Sequence, residues 1–173
     1  MRMLLLLLSL LHVGCAGHSI AQTKAGSRSH VPPTTAFYVA IPEDGHYGGK
    51  TYAGSGAATA RAISAALSMH FTRVETAKSV ESTAAAIQSA HAADCSSLVY
   101  ATILNWEDRA TEWSGKLDRI EIKVEVIAVP SGETLRSDML QANSGWLTLG
   151  GDRPQDLLRG PVDAFAKSLT SKR

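Results

Sequence analysis

Cysteine is scarce in this sequence, which has only Cys15 and Cys95 among its 173 residues. If Cys15 is consumed near the N-terminus, the folded part of the chain has no cysteine pair for an internal disulfide. Cys95 lies between a predicted helix and an apolar strand, and an unpaired cysteine often behaves as a small core residue. We therefore expect Cys95 to be a buried free thiol, and the alternative is an intermolecular disulfide.

An excess of charge of either sign is also lacking. The chain has 17 Lys and Arg against 16 Asp and Glu, and removing Arg2 with an N-terminal signal leaves 16 of each. This balance gives no electrostatic reason to expect nucleic acid or lipid headgroups as partners. The apolar content of 45% and the charged content of 19% are those of an ordinary globular domain.

The apolar run at the N-terminus is too short to cross a membrane. It extends from Leu4 to Leu11, whereas a spanning helix needs about 20 apolar residues. Arg2 precedes the run, and the small residues Gly14 and Ala16 follow it, so the segment has the three parts of a cleaved export signal. We expect residues 1–14 to be this signal peptide.

The segment Leu11-His12-Val13-Gly14-Cys15 resembles the lipobox of bacterial lipoproteins, although His12 stands where leucine is usual. The resemblance implies that Cys15 is lipidated and that the membrane is a partner through this anchor. Each buried methylene of an acyl chain contributes about 0.8 kcal/mol, so two or three long chains make release negligible. Ala16, in place of the Asp that retains lipoproteins in the inner membrane, implies an outer-membrane lipoprotein facing the periplasm of a Gram-negative cell. The alternative is an ordinary secretory signal cut nearby.

The segment after Cys15 is rich in small and polar residues as far as Pro32-Pro33. Residues 15–34 are therefore predicted to be the lipidated cysteine and a flexible tether, with a root-mean-square reach of roughly 23 Å for about 18 residues. Residues 35–173 then form one domain, which is long enough to bury close to two thirds of its unfolded surface.

The hydrophobic periodicity predicts an α/β domain with two layers in the order β-α-β-α-β-β-β-α. The sheet is expected to be mixed, with an antiparallel meander and with helices mainly on one face, resembling the amino-terminal module of the translocation protein TolB. This likeness transfers no activity. The predicted elements are strands at Thr35–Ile41, Phe71–Thr76, Ser97–Trp106, Leu117–Val129 and Thr134–Asn143, and helices from about Gly56 to Phe71, after an N-cap at Ser79, and from Pro154 with an interruption at Gly160-Pro161.

Burial can be predicted for several of these elements. Ile120, Ile122, Val124 and Val126 alternate with charged residues, which is typical of a strand with one buried and one solvated face. Ala60, Ile63, Leu67 and His70 or Phe71 define the buried face of the first helix, and Val80, Ala84, Ile87 and His91 that of the second. Ser97–Trp106 is apolar on both faces, including Leu104, and is expected to be a central strand.

Two motifs that would bind cofactors are incomplete. Gly48-Gly49-Lys50-Thr51 ends like a phosphate-binding loop, but Asp44 occupies the leading glycine position. We interpret it as a glycine-rich loop and expect no nucleotide. The histidines of the mature chain never pair at metal-ligand spacing on one element, so neither a metal nor another cofactor is expected; these are His18, His30, His46, His70 and His91.

One segment concentrates groups capable of chemistry, and its residues are Trp106, Glu107, Asp108, Arg109, Glu112 and Trp113. In the structural interpretation, Trp106 ends a buried strand, Trp113 anchors a loop and Arg109 pairs with a carboxylate. In the functional interpretation, the segment is an interaction surface with Trp113 as its anchor. Paired carboxylates also act as general acid and base, but the sequence does not show that Glu107 and Asp108 converge, and no catalytic residue is assigned.

Two stretches, Ile103–Gly115 with its Trp-Glu-Asp-Arg sequence and Trp146–Leu158, carry a closer resemblance. They are similar to the bacterial lipoprotein family of domain of unknown function 4823, and the likeness extends from about Phe37 to the end of the chain. It implies an anchored envelope protein and supplies no catalytic residues.

Three functions remain open at this point. The first is a non-catalytic binding or scaffold domain for an envelope protein or a cell-wall component. The second is a hydrolase that uses Glu107 or Asp108 on envelope glycan or peptide. The third is an oligomeric component of an export system.

Overall fold

A computed structural model describes residues 17–24, 31–108, 118–144 and 153–170 of the chain. Its strands and helices follow one another in an order that can be read directly along the sequence. They are β1 (Gly17–Lys24), β2 (Ala36–Ile41), β3 (His46–Tyr47), β4 (Lys50–Thr51), α1 (Ser55–Ser68), β5 (Arg73–Val80), α2 (Thr83–Ala92), β6 (Ser97–Glu107), β7 (Arg119–Ala128), β8 (Thr134–Asn143), a 3₁₀ turn (Pro154–Leu158) and α3 (Arg159–Thr170).

The main sheet is mixed, and in the described residues its six strands have the order β1-β8-β7-β6-β2-β5. Strands β5, β2 and β6 are parallel, whereas β6, β7, β8 and β1 form an antiparallel meander. From β2 onward the order is the predicted β-α-β-α-β-β-β-α, with the small hairpin β3–β4 added. The prediction of a single mixed α/β domain is confirmed.

Helices cover the sheet unequally because successive side chains of a strand point to opposite faces. Phe37 and Val39 of β2 pack in the main core with residues of α1 and α3. Tyr38 and Ala40 pack in a smaller core with Ala86 of α2. Thus α1 and α3 lie on one face, while α2 covers the opposite face near the parallel strands.

The clearest burial prediction is confirmed in β7. Ile120, Ile122 and Val124 are fully buried, and Val126 nearly so. Cys95 is also buried, with 3% of its surface exposed, and is a free cysteine. Burial raises the pKa of its thiol, as expected because desolvation penalises the charged thiolate.

The segment predicted to be a tether contains strand β1. Gly17–Lys24 pairs antiparallel with β8, with Gly17 opposite Asn143 and Ile20 opposite Leu140. Composition alone favoured a tether, because small and polar residues predominate; backbone pairing with the edge of the meander overrides that preference. Residues 17–24 therefore belong to the sheet.

The second helix begins later than predicted. Ser79 is in β5, and Ser82 is the N-cap instead, with its side chain accepting a hydrogen bond from the Ala85 N–H. Strand β5 extends to Val80, whose side chain is exposed. Consequently the buried face of α2 consists of Ala86 and Ala90 rather than the predicted set.

Two further details correct the predictions. Leu104 of β6 is 51% exposed, because the register with β7 shifts between Ile103 and Asn105 and leaves Leu104 at a bulge. Gly160-Pro161 does not interrupt the last helix: the change of geometry is from the 3₁₀ turn to α3 at Arg159. Pro161 lies in the first turn of α3, where a missing N–H costs no helical hydrogen bond.

The glycine-rich loop after β2 forms the hairpin β3–β4. Gly48 and Gly49 both have positive φ, which the two-residue turn of such a hairpin requires. In the part of the chain that the structure describes, no helix has the length and apolar character needed to cross a membrane.

Candidate functional site

Trp106, the first residue of the predicted interaction segment, belongs to the core. It is 2% exposed and packs in the main hydrophobic cluster. Gly45 lies directly against it, since a Cβ added to Gly45 would be 2.7 Å from the Trp106 Cβ and 2.8 Å from the Ile103 Cγ2. The loop after β2 therefore packs closely on β6, and Trp106 ends a buried strand, as the structural interpretation predicted.

The two neighbouring carboxylates have different surroundings. Glu107 is 7% exposed, and its Oε1 accepts a hydrogen bond from the Asn105 Nδ2 at 2.6 Å. It also lies opposite Arg119 in the register of β6 and β7. Asp108 follows the strand and is exposed. One carboxylate is thus built into the sheet while the other is solvated, and the contacts give no sign of a shared site.

The remaining residues predicted to be functional lie outside the described ranges. They are the lipidation residue Cys15 and three members of the interaction segment, Arg109, Glu112 and Trp113. Their roles stay predictions. Among the residues that the structure does describe, no group of three His, Cys, Asp or Glu side chains is arranged to hold a metal ion.

A network of polar side chains lies on the solvated face of the meander. The Glu121 carboxylate accepts hydrogen bonds from the Gln141 Nε2 at 3.1 Å and from Arg119 at 3.4 Å. Farther along β7, the Lys123 Nζ is 3.0 Å from the Glu125 carboxylate. Opposite charges are paired along the strand, so this face has no net excess of one sign to attract an ionic ligand.

Glu81 forms a polar cluster beneath α2 that the sequence did not indicate. Its carboxylate accepts hydrogen bonds from the Tyr38 Oη at 3.1 Å and the Ser89 Oγ at 2.6 Å, and its carbonyl accepts one from the Tyr100 Oη at 3.3 Å. Burial, followed by the hydrogen bond to Glu81, raises the pKa of Tyr38. Both carboxylate oxygens are used to hold β2 and α2 together, so the cluster is structural.

Asp44 occupies the N-terminus of α1, which has no side-chain cap from its own N-cap residue, Gly54. Its carboxylate accepts hydrogen bonds from the Gly56 N–H at 2.8 Å and the Gly54 N–H at 3.1 Å. The bond from Gly56 is the largest cause of the lowered pKa of Asp44. The residue that spoils the phosphate-binding motif thus places its own negative charge where a phosphate would otherwise sit.

These features define a class before they define a family: a mixed α/β domain with a meander, a core tryptophan at the end of β6 and a carboxylate-capped first helix. The family model Domain of unknown function (DUF4823) matches residues 29–169. The chain belongs to this family, which confirms the resemblance noted in the sequence. No curated protein matches the chain.

Solved structures show the same fold at low sequence identity. The dodecamer of PelC from Paraburkholderia phytofirmans has a TM-score of 0.71 and 11% identity, covering 91% of this chain and 100% of PelC. A Xanthomonas campestris protein of the family model DUF330 has a TM-score of 0.50 and 10% identity, covering 79% and 82%. The lipoprotein GNA1162 from Neisseria meningitidis has a TM-score of 0.46 and 16% identity, covering 78% and 97%.

Proposed function

We propose that this protein is a lipid-anchored lipoprotein of the outer membrane that faces the periplasm. The observation that carries the proposal is the short leucine-rich run that ends at Gly14-Cys15. The run is long enough to direct export and too short to remain as a spanning helix. Acylation of Cys15 would supply the anchor, and the palmitate class of fatty acid is the expected modification.

The location has a direct test, which is separation of inner and outer membranes on a density gradient. The wild-type protein is expected with the outer membrane, and the Cys15→Ala variant with neither membrane. An Ala16→Asp variant is the matched control, because it keeps the anchor and changes only the sorting position. Wild-type protein in the inner-membrane fraction would contradict the proposed sorting.

The domain is proposed to act by binding or scaffolding rather than by catalysis. Two described members of the interaction segment, Trp106 and Glu107, are buried and engaged in packing and hydrogen bonding. Groups used in this way support the fold and are not available to a substrate. A hydrolase using Glu107 and Asp108 is accordingly the weaker alternative.

The proposed partner is an envelope protein or a cell-wall component, and tethering to the membrane raises the effective concentration of even a weak binding surface. In vivo crosslinking followed by purification tests this, comparing the wild type with Trp113→Ala. Loss of a specific crosslinked species in the variant is expected. Identical species in both would remove the predicted interaction segment from consideration.

A ring-forming component of an export system is a second candidate. It is favoured by one observation, the similarity over 91% of this chain to a protein solved as a dodecamer. The mass in solution of the purified protein without its signal, measured by light scattering after gel filtration, tests it. A mass many times that of one chain would support assembly, and a monomer at all concentrations would exclude it.

A further inference from the structure

Strand β1 connects the proposed anchor to a defined end of the sheet. Gly17 lies opposite Asn143, Asn143 lies opposite Arg119, and Arg119 lies opposite Glu107. These four residues form one row across β1, β8, β7 and β6, which we call the proximal row. The turn after β7, at Pro130–Glu133, is at the other end of the same strands.

The distance between the anchor and the proximal row is short. Cys15 and Gly17 are separated by two peptide steps, which extend to at most roughly 7 Å. A flexible tether of about 18 residues would instead allow the domain to sit roughly 23 Å away and to rotate freely. The pairing of β1 with β8 removes that freedom.

The sheet is also fastened at this end. The Ser144 Oγ accepts a hydrogen bond from the Asp118 N–H at 2.9 Å, and the Ser144 N–H donates to the Asp118 carbonyl at 3.0 Å. Both bonds join the start of β7 to the end of β8 next to the proximal row. An anchor attached through β1 therefore acts on a rigid body, not on a loose strand.

We propose that the proximal row is the surface that this domain holds against the phospholipid headgroups of its own membrane. The strands then run away from the bilayer, and the Pro130–Glu133 turn is the part of the meander farthest from it. With a rise of about 3.4 Å per residue, the ten residues of β7 place that turn roughly 34 Å farther out. The inference rests on the proposed acylation of Cys15.

Lipid-borne quenching measures this orientation in the acylated full-length mature protein. Single cysteines are introduced by Asn143→Cys or Arg119→Cys at the proximal row and by Ser131→Cys in the distal turn, in a Cys95→Ala background. Each is labelled with a fluorophore, and the protein is placed in vesicles of phosphatidylethanolamine and phosphatidylglycerol that carry a headgroup quencher. Both proximal labels are expected to be quenched severalfold more strongly than the distal label.

A variant with a longer connection provides the matched control. Inserting about ten Gly and Ser residues between Ala16 and Gly17 adds roughly 17 Å of flexible reach, while leaving the strand pairing and the anchor intact. The difference between proximal and distal quenching is expected to fall towards zero in this variant.

The two levels of the proposal fail in different ways. If mass spectrometry finds no acyl chain on Cys15, the anchor fails and the orientation fails with it. If Cys15 is acylated and the proximal and distal labels are quenched equally, the anchor stands and the orientation is overturned. An unchanged quenching difference after the insertion would also overturn it, because the short connection would then not be its cause.

Discussion

Arg136 and Asp138 form a two-pronged ion pair on β8, with the Arg136 Nε 2.6 Å from the Asp138 Oδ2 and a terminal guanidinium nitrogen 2.8 Å from the Oδ1. The Asp138 side chain is fully buried, and Arg136 also donates to the Ser168 Oγ at 2.7 Å. The pair therefore joins the meander to α3. Because removing one partner leaves the other charge poorly solvated, we expect Asp138→Ala to lower the free energy of unfolding by about 3–5 kcal/mol, measured by urea denaturation.

An exposed pair on α3 is the control for this prediction. Arg159 and Asp163 are 3.7 Å apart, four residues apart in sequence and largely exposed. Asp163→Ala is expected to change the free energy of unfolding by no more than about 0.5 kcal/mol. Equal effects of Asp138→Ala and Asp163→Ala would show that burial of the first pair has no consequence.

Asp44→Ala is expected to lower the free energy of unfolding by about 1 kcal/mol, the usual value for a lost helix cap. The folded pKa of Asp44 is lowered, chiefly by the Gly56 N–H. Its stabilising contribution is therefore complete above the ordinary Asp pKa of about 3.9 and is lost as pH falls through the lower folded pKa. Asp44→Asn should accordingly unfold with a weaker dependence on acid below about pH 4.

The measurement for Asp44 is a set of urea denaturation curves between neutral and acidic pH. Asp163→Asn removes a solvated carboxylate and is expected to keep the wild-type dependence on acid. If Asp44→Asn and the wild type lose stability in parallel as the pH falls, the hydrogen bonds to the α1 N-terminus do not contribute in the way described.

Glu107→Gln and Asp108→Asn separate a structural role from a catalytic one. Glu107 is buried and accepts the Asn105 amide, so its neutral variant should lose about 1.5–3 kcal/mol, the range for a hydrogen bond to a charged group. Asp108 is exposed, and its variant should stay within about 0.5 kcal/mol of the wild type. Thermal denaturation of both gives the answer. A fully stable Glu107→Gln would return Glu107 to the candidates for chemistry.

Cys95 is expected to react with a disulfide reagent far more slowly in the native protein than in urea. It is buried, and burial raises the pKa of its thiol, so little thiolate forms near neutral pH. A cysteine placed by Ser131→Cys in the exposed turn serves as the reactive control. Native Cys95 reacting as fast as that exposed thiol would contradict its place in the smaller core.

The elements that the sequence predicted well are those whose pattern is local. The alternation of Ile120, Ile122, Val124 and Val126 with charged residues reflects a strand with one covered face, and the structure confirms it. Strand β1 was missed because Gly17–Lys24 has a linker-like composition, and its pairing with β8 depends on residues more than a hundred positions away. Long-range pairing of that kind leaves no local periodicity to detect.

The candidate site shows the same division. That Trp106 ends a buried strand follows from the apolar run before it, and this prediction is confirmed. The burial of Glu107 and the capping of α1 by Asp44 depend on contacts between separate elements, with Asn105 in one case and Gly56 in the other. A charged residue in a sequence is expected to be exposed unless a partner is known, so neither could be predicted from its neighbours.

Metabolic labelling with a fatty acid tests the central claim, which is that Cys15 carries the lipid that holds this domain at the membrane. Wild-type protein and Cys15→Ala are expressed in the presence of labelled palmitate and purified under denaturing conditions. The account predicts label on the wild type and none on the variant. An unlabelled wild type, or equal label on both, would contradict it.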